Sequence, residues 1–174
     1  PQPDKNPDYA TIATLVRHAA DTGLTDKNSI LIFLPGWMEI KKTGEAIARL
    51  PGASRYHVIK LHSSVKQEDQ MAAFNPPPPG KVKVVLATNI AESGITIDDV
   101  GVVIDTGSIK ETHWILSKGT TEVGQNTYKS TTHLQLRWCS RANSTQRTGR
   151  AGRTQKGTCY RLYTKEQHAS FSDF

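Results

Sequence analysis

Gln146, Arg150 and Arg153 stand at spacings of four and three in the run QRTGRAGR, residues 146–153. On a helix that spacing puts the three on one face. Donor-rich, mostly cationic side chains on a single stripe repel one another unless an anion lies across them. Gly149 and Gly152 remove the side chains between, so a large anion such as a polyphosphate could approach the backbone. A glycine inside a helix costs about 1 kcal/mol relative to alanine, and two of them need a reason. The bland alternative is a solvated basic helix end.

The charge distribution bears on that choice. Val123 to Lys165 hold nine Lys/Arg and no Asp or Glu, leaving 13 basic and 16 acidic side chains for the rest of the chain. The net charge of +6 therefore originates in the quarter that contains QRTGRAGR. A one-sided field of this kind suits a polyanion, nucleotide or nucleic acid, although a patch kept for solubility would look the same.

At 174 residues and 36% hydrophobic content, residues 1–174 are expected to form one compact domain. No stretch is long and apolar enough to cross a bilayer, so no membrane partner is expected. The polar, Pro-rich start PQPDKNPDYA is no secretory signal and reads as a cut inside a longer protein. Cys139 and Cys159 lie 20 residues apart with no CxxC. That favours a reduced, intracellular protein without a disulfide, nucleus or cytoplasm left open.

The elements that must position these residues follow from periodicity. Residues 7–20 place Tyr9, Ile12, Leu15, Val16 and Ala19 at helical spacing, and 38–50 repeat the pattern with Ile40, Ile47 and Leu50. ILIFL (30–34), YHVIKL (56–61), VKVVLA (82–87), VGVVID (100–105) and TCYRLY (158–163) read as strands, with a short helix at 66–74. NPPPPG (75–80) can be neither helix nor central strand. The polar segment 106–136 is expected to be a β-hairpin or extended insertion. Short Val/Ile-rich strands separated by helices mark a doubly wound α/β sheet. Such sheets bind ligands at the carboxyl ends of their strands.

Each strand is followed by chemically loaded residues. Ser63 and Ser64 follow one strand and Thr88 and Asn89 the next, offering small polar groups that suit a nucleic-acid backbone. Capping of the next helix is the competing explanation for each. Gly94 is expected where a side chain would block a neighbour's approach, and Asp98 could accept a bond from a ribose hydroxyl. There is no P-loop: Gly80-Lys81 is followed by Val, and Asn75 stands where its first glycine would be. No acidic cluster or other metal-ligand spacing is visible, so no metal site is expected. Phosphate-gripping arginines without these parts make half of an active site.

ILIFLPGWMEI, LHSSV, ATNIAESGITIDDVGVVIDTG and QRTGRAGR, in this order, resemble motifs IV, IVa, V and VI of superfamily 2 helicases. They are most similar to the second RecA-like domain of the DEAH-box RNA helicases, over about Ile30–Thr164. FLPGW, IDTG…KE and SRANSTQR look most like the branch containing RNA helicase A. The resemblance implies a RecA-like, mostly parallel sheet flanked by helices, with the β-hairpin insertion between motifs V and VI. It implies that Gln146, Arg150 and Arg153 contact the γ-phosphate and attacking water, the arginines as fingers. Phe74 would stack on adenine, and Gly94 and Asp98 would lie on the nucleotide side. Gly36, Ser63, Ser64, Thr88 and Asn89 would line the RNA backbone.

The implied partners are single-stranded RNA, ATP, and an N-terminal RecA-like domain of the same protein that would also hold Mg²⁺. ESGI departs from the pattern, with glycine where many relatives carry Ser or Thr. No roles are carried onto 106–136 beyond a wedge or strand guide. Two other readings stay open: a silent helicase-like module that binds RNA or protein, and a DNA-acting or viral superfamily 2 helicase.

Overall fold

Continuous apolar runs need cover on both faces, and the chain supplies it by winding helices to either side of one sheet. A computed structural model describes Pro3 and residues 6–25, 29–120, 126–152 and 156–174. Strands β1 (Ser29–Phe33), β2 (Tyr56–Leu61), β3 (Val82–Ala87), β4 (Val100–Asp105) and β7 (Thr158–Arg161) run parallel in the order β2-β3-β1-β4-β7. Along β1 the side chains alternate. Ile30 and Ile32 pack with Ile12, Val16, Ile40 and Ile47 of α1 (Tyr9–Asp21) and α2 (Trp37–Ala48). Leu31 and Phe33 face the other way, against Ile59, Ala73, Ala91 and Val103. Burying each such side chain contributes about 1.5–3 kcal/mol, which is why the central strand tolerates no polar residue after Ser29.

The second face is covered by α3 (Gln67–Met71), the four-residue α4 (Ile90–Ser93) and α5 (Arg141–Thr148). A single helix was expected over 66–74. It breaks after Met71 into a 3-10 turn, Ala72–Phe74, and Asn75 is extended (φ −92°, ψ 152°). Pro76 explains the extended Asn75 and hence the end of the 3-10 turn, because a residue before proline is pushed out of the helical region. The last strand is shorter than expected, ending at Arg161. The following helix α6 (Lys165–Ala169) is set by a capping box between Thr164 and Gln167.

The insertion expected over 106–136 is the antiparallel pair β5 (Ser108–Thr120) and β6 (Asn126–Trp138). Its base is fastened to the sheet. The Thr106 hydroxyl donates to Phe33 O (2.7 Å), and Lys110 Nζ donates to both carboxylate oxygens of the buried Glu39 (2.9 and 2.8 Å). Trp138 stacks on Phe171 with ring centroids 5.4 Å apart. Cys139 and Cys159 are both free thiols, and burial pushes the Cys139 thiol up to about 12, so it carries no thiolate at neutral pH.

Gly107 turns the chain from β4 into the hairpin with φ +70°, and a Cβ there would sit 2.5 Å from Tyr163 Cδ1. Gly107→Ala is therefore expected to lower stability by about 2–4 kcal/mol, combining backbone strain with overpacking. Urea unfolding of the two chains checks this, and coincident midpoints would contradict the tight approach.

Candidate functional site

The parallel sheet has two edges, and the chain places different chemistry on each. At the carboxyl end, Pro35 and Gly36 follow β1, His62 and Ser63 follow β2, and Thr88 and Asn89 follow β3. These residues line one cleft of about 530 Å³, closed on one side by Lys110 and Leu134 of the hairpin. Ser64 lies in the adjoining cleft beyond Trp37. The capping explanation fails for this group. Lys66 is the N-cap of α3 and Asn89 that of α4, neither making a side-chain cap bond, and Gly36 precedes α2 likewise uncapped.

Among the described residues, the side chains of Ser63, Ser64, Thr88 and Asn89 have no hydrogen-bond partner. Ser63, Ser64 and Asn89 are exposed and Thr88 is half-buried. A Cβ on Gly36 would press to 3.0 Å on Lys110 Cδ, so the absent side chain keeps the floor of this cleft open.

Phe74 and Asp98 lie at the opposite edge. Phe74 ends the 3-10 turn that leads back to the start of β3, and the residue is 45% exposed despite its apolar character. Asp98 is an exposed residue of the turn that enters β4. The end of QRTGRAGR comes to the same edge, where Gly152 N donates to Val100 O (3.2 Å).

The single helical face expected for Gln146, Arg150 and Arg153 is not what the described residues form. Helix α5 stops at Thr148 with Gly149 as its cap, and Gly152 at φ +83° turns the chain away. Gln146 is exposed on the last turn of α5. Arg150 lies in the turn beyond, its amide donating to Arg147 O (3.1 Å). Arg153 lies outside the described residues. Arg150 is half-buried and its guanidinium reaches across to α4 and the turn after it, where Nη1 donates to Ile95 O (2.8 Å) and Nη2 to Glu92 O. Gly94 also differs from expectation. It has φ −88°, and a Cβ there would meet only Ile90 O at 3.4 Å, an ordinary contact. No neighbour within the described chain needs that space.

Between the two edges lies a network that sequence reasoning missed. Arg147 is fully buried (0% exposed), with Nε donating to Glu92 Oε1 (2.6 Å) and Nη1 to Asp105 Oδ1 (2.8 Å). Its guanidinium also lies over the Phe33 ring, 5.0 Å from the centroid. Glu92 Oε2 accepts from Asn143 Nδ2 (2.7 Å), and Asp105 Oδ2 accepts from the Tyr163 hydroxyl (2.9 Å). Burial disfavours the arginine's charge, yet the two carboxylates more than offset it and hold its pKa above the ordinary value. Burial raises the Tyr163 pKa, with Asp105 adding to the rise, so the phenol stays a donor. Some of the basic excess is thus structural: Arg147 is neutralised inside, and Arg141 pairs with Asp173 (2.8 Å). The available signal was Asp105, a carboxylate closing an otherwise apolar buried strand.

Known proteins resemble this chain in sequence and fold. The family model described as the helicase conserved C-terminal domain matches residues 11–155. The RNA editing associated helicase 2 of Trypanosoma brucei brucei (strain 927/4 GUTat10.1) is 51% identical over 168 residues, which cover 96% of this chain and 8% of that protein. The DExH-box ATP-dependent RNA helicase DExH6 of Arabidopsis thaliana is 43% identical over 170 residues, 96% of this chain and 12% of its own. The chain thus spans about a tenth of the length of these curated relatives. In the crystal structure of the E. coli DExH-box NTPase HrpB, the likeness covers 100% of this chain and 20% of that one, with a TM-score of 0.77 and 30% identity.

Replacing Arg147 with methionine would leave Glu92 and Asp105 buried without their cation. The expected loss is about 3–5 kcal/mol of unfolding free energy, read from urea denaturation. A loss below about 1 kcal/mol would show that the carboxylates do not depend on it.

Proposed function

The chain belongs to the helicase conserved C-terminal domain family, in the DExH/DEAH-box branch of superfamily 2, and on that premise we propose that it is the second RecA-like half of an ATP-dependent RNA helicase. The observation that carries this reading is the row of Ser63, Ser64, Thr88 and Asn89 side chains along one sheet edge, without a partner among the described residues. Small neutral donors and acceptors in a row suit a phosphate–sugar backbone and carry no base code. Lys110 adds a cation at the wall of the same cleft, although Glu39 already neutralises it.

The opposite edge suits a nucleotide. The exposed Phe74 ring offers a stacking face for the base, and the Asp98 carboxylate offers an acceptor for a ribose hydroxyl. Gln146, Arg150 and Arg153 would then face the phosphates. ATP supplies the anhydride bond whose hydrolysis drives movement along RNA. The arginines would stabilise the negative charge that develops on the phosphoryl oxygens, and Gln146 would orient the attacking water. Magnesium bound with the nucleotide would take its protein ligands from the N-terminal RecA-like half. That division of parts makes this chain one side of a shared site, silent as an ATPase alone.

One observation favours the second reading, a silent RNA- or protein-binding module: Arg150 is engaged by two carbonyls of its own chain. A finger must exchange those carbonyls for phosphate. The deciding experiment is RNA-stimulated ATP hydrolysis by the full-length protein, wild type beside Arg150→Ala and Arg153→Ala. The motor reading expects turnover in the wild type and a loss of about 10³-fold or more in each variant. A wild type that binds RNA without hydrolysing ATP would establish the binding module.

A further inference from the structure

Lys83 is the second residue of β3, a strand otherwise built from Val, Leu and Ala, and it is 2% exposed. An apolar residue would fill that position without the desolvation that a buried ammonium costs. Its three N–H groups are each taken up. Nζ donates to Ala73 O (2.9 Å) and Asn75 O (3.0 Å), and pairs with Asp99 Oδ2 (2.8 Å). The first two acceptors are the carbonyls on either side of Phe74. The third belongs to the neighbour of Asp98. Asp99 is itself tied to the sheet, since its Oδ1 accepts from the Ser29 hydroxyl (3.1 Å) and its carbonyl from Ser29 N (2.7 Å).

One ammonium therefore clamps the peptides flanking an exposed aromatic ring and anchors them to the turn that presents Asp98. We propose that Lys83 is a positioning residue for nucleotide binding: it fixes the Phe74 ring relative to Asp98, so that the base meets a ring already held in place. This rests on the reading of Phe74 as a stacking face. The ring stands on a 3-10 turn followed by an Asn and four prolines, on a residue 45% exposed. Prepaying its ordering in the free protein is what tightens binding.

The test is steady-state ATP hydrolysis by the full-length helicase with saturating RNA, comparing wild type, Phe74→Ala, Lys83→Met and the double variant. Phe74→Ala is expected to raise KM for ATP about tenfold, the scale of one lost base stack. Lys83→Met is expected to raise KM about fivefold, with kcat within about twofold and RNA affinity unchanged, and to add nothing in the Phe74→Ala background. An unchanged KM in Lys83→Met, or an equal further rise in the double variant, overturns the positioning role while leaving the stacking reading intact. An unchanged KM in Phe74→Ala overturns both. Should Lys83→Met fold poorly, Asp99→Asn retains the lysine and the side-chain volume. It is expected to raise KM two- to threefold, roughly the effect of loosening one of three anchors, and no rise again overturns the proposal.

Discussion

Two carboxylates buried in one domain interior need a cation between them, and Arg147 is that cation. Glu92 sits on the short helix after β3, Asp105 ends β4, and Arg147 comes from the helix after the hairpin. Three elements far apart in sequence are thereby held at fixed distances by directional, charge-assisted bonds rather than by apolar packing alone. Tyr163 and Asn143 satisfy the outer oxygens of the two acids, extending the constraint to the last strand's exit and to the first turn of α5. Such a cluster contributes little net stability over a hydrophobic equivalent, but it admits few geometries.

That fixed geometry decides how the two edges of the sheet relate. Helix α4 follows its N-cap Asn89, in the cleft whose polar side chains have no partner among the described residues, and Arg150 reaches the carbonyls of Glu92 within it and Ile95 just beyond it. Four residues span from one candidate ligand edge towards the other, and Glu92 in their midst is locked to Arg147. A shift of α4 caused by a ligand at either edge has to be shared by α5 or must break buried ion pairs. Parallel topology makes this possible, because every strand start lies at one edge and every strand end at the other.

The strands were legible because burial on both faces leaves a continuous apolar run, as in ILIFL and VKVVLA. The helicase resemblance was legible because its motifs sit at the ends of those strands. What escaped depends on partners distant in sequence. Arg147 reads as one more basic residue in QRTGRAGR until Glu92 and Asp105, 55 and 42 positions away, are seen around it. Lys83 likewise looks like a solvated residue at a strand start until three acceptors converge on it. The end of α5 at Thr148 escaped for a local reason: Gly149 caps the helix, and Gly152, in the left-handed region, turns the chain away beyond it. Gly94 has no neighbour among the described residues that needs its missing side chain.

The central claim is that nucleotide and nucleic acid belong to opposite edges of one sheet. It is tested most directly by the affinity of the full-length protein for single-stranded RNA in the absence of nucleotide, comparing Arg150→Ala with Thr88→Ala. The two-edge account predicts that Thr88→Ala weakens RNA binding several-fold, the order of one lost backbone hydrogen bond, while Arg150→Ala leaves it unchanged. An Arg150→Ala variant that binds RNA as weakly as Thr88→Ala would place the arginine on the nucleic-acid track and contradict the assignment.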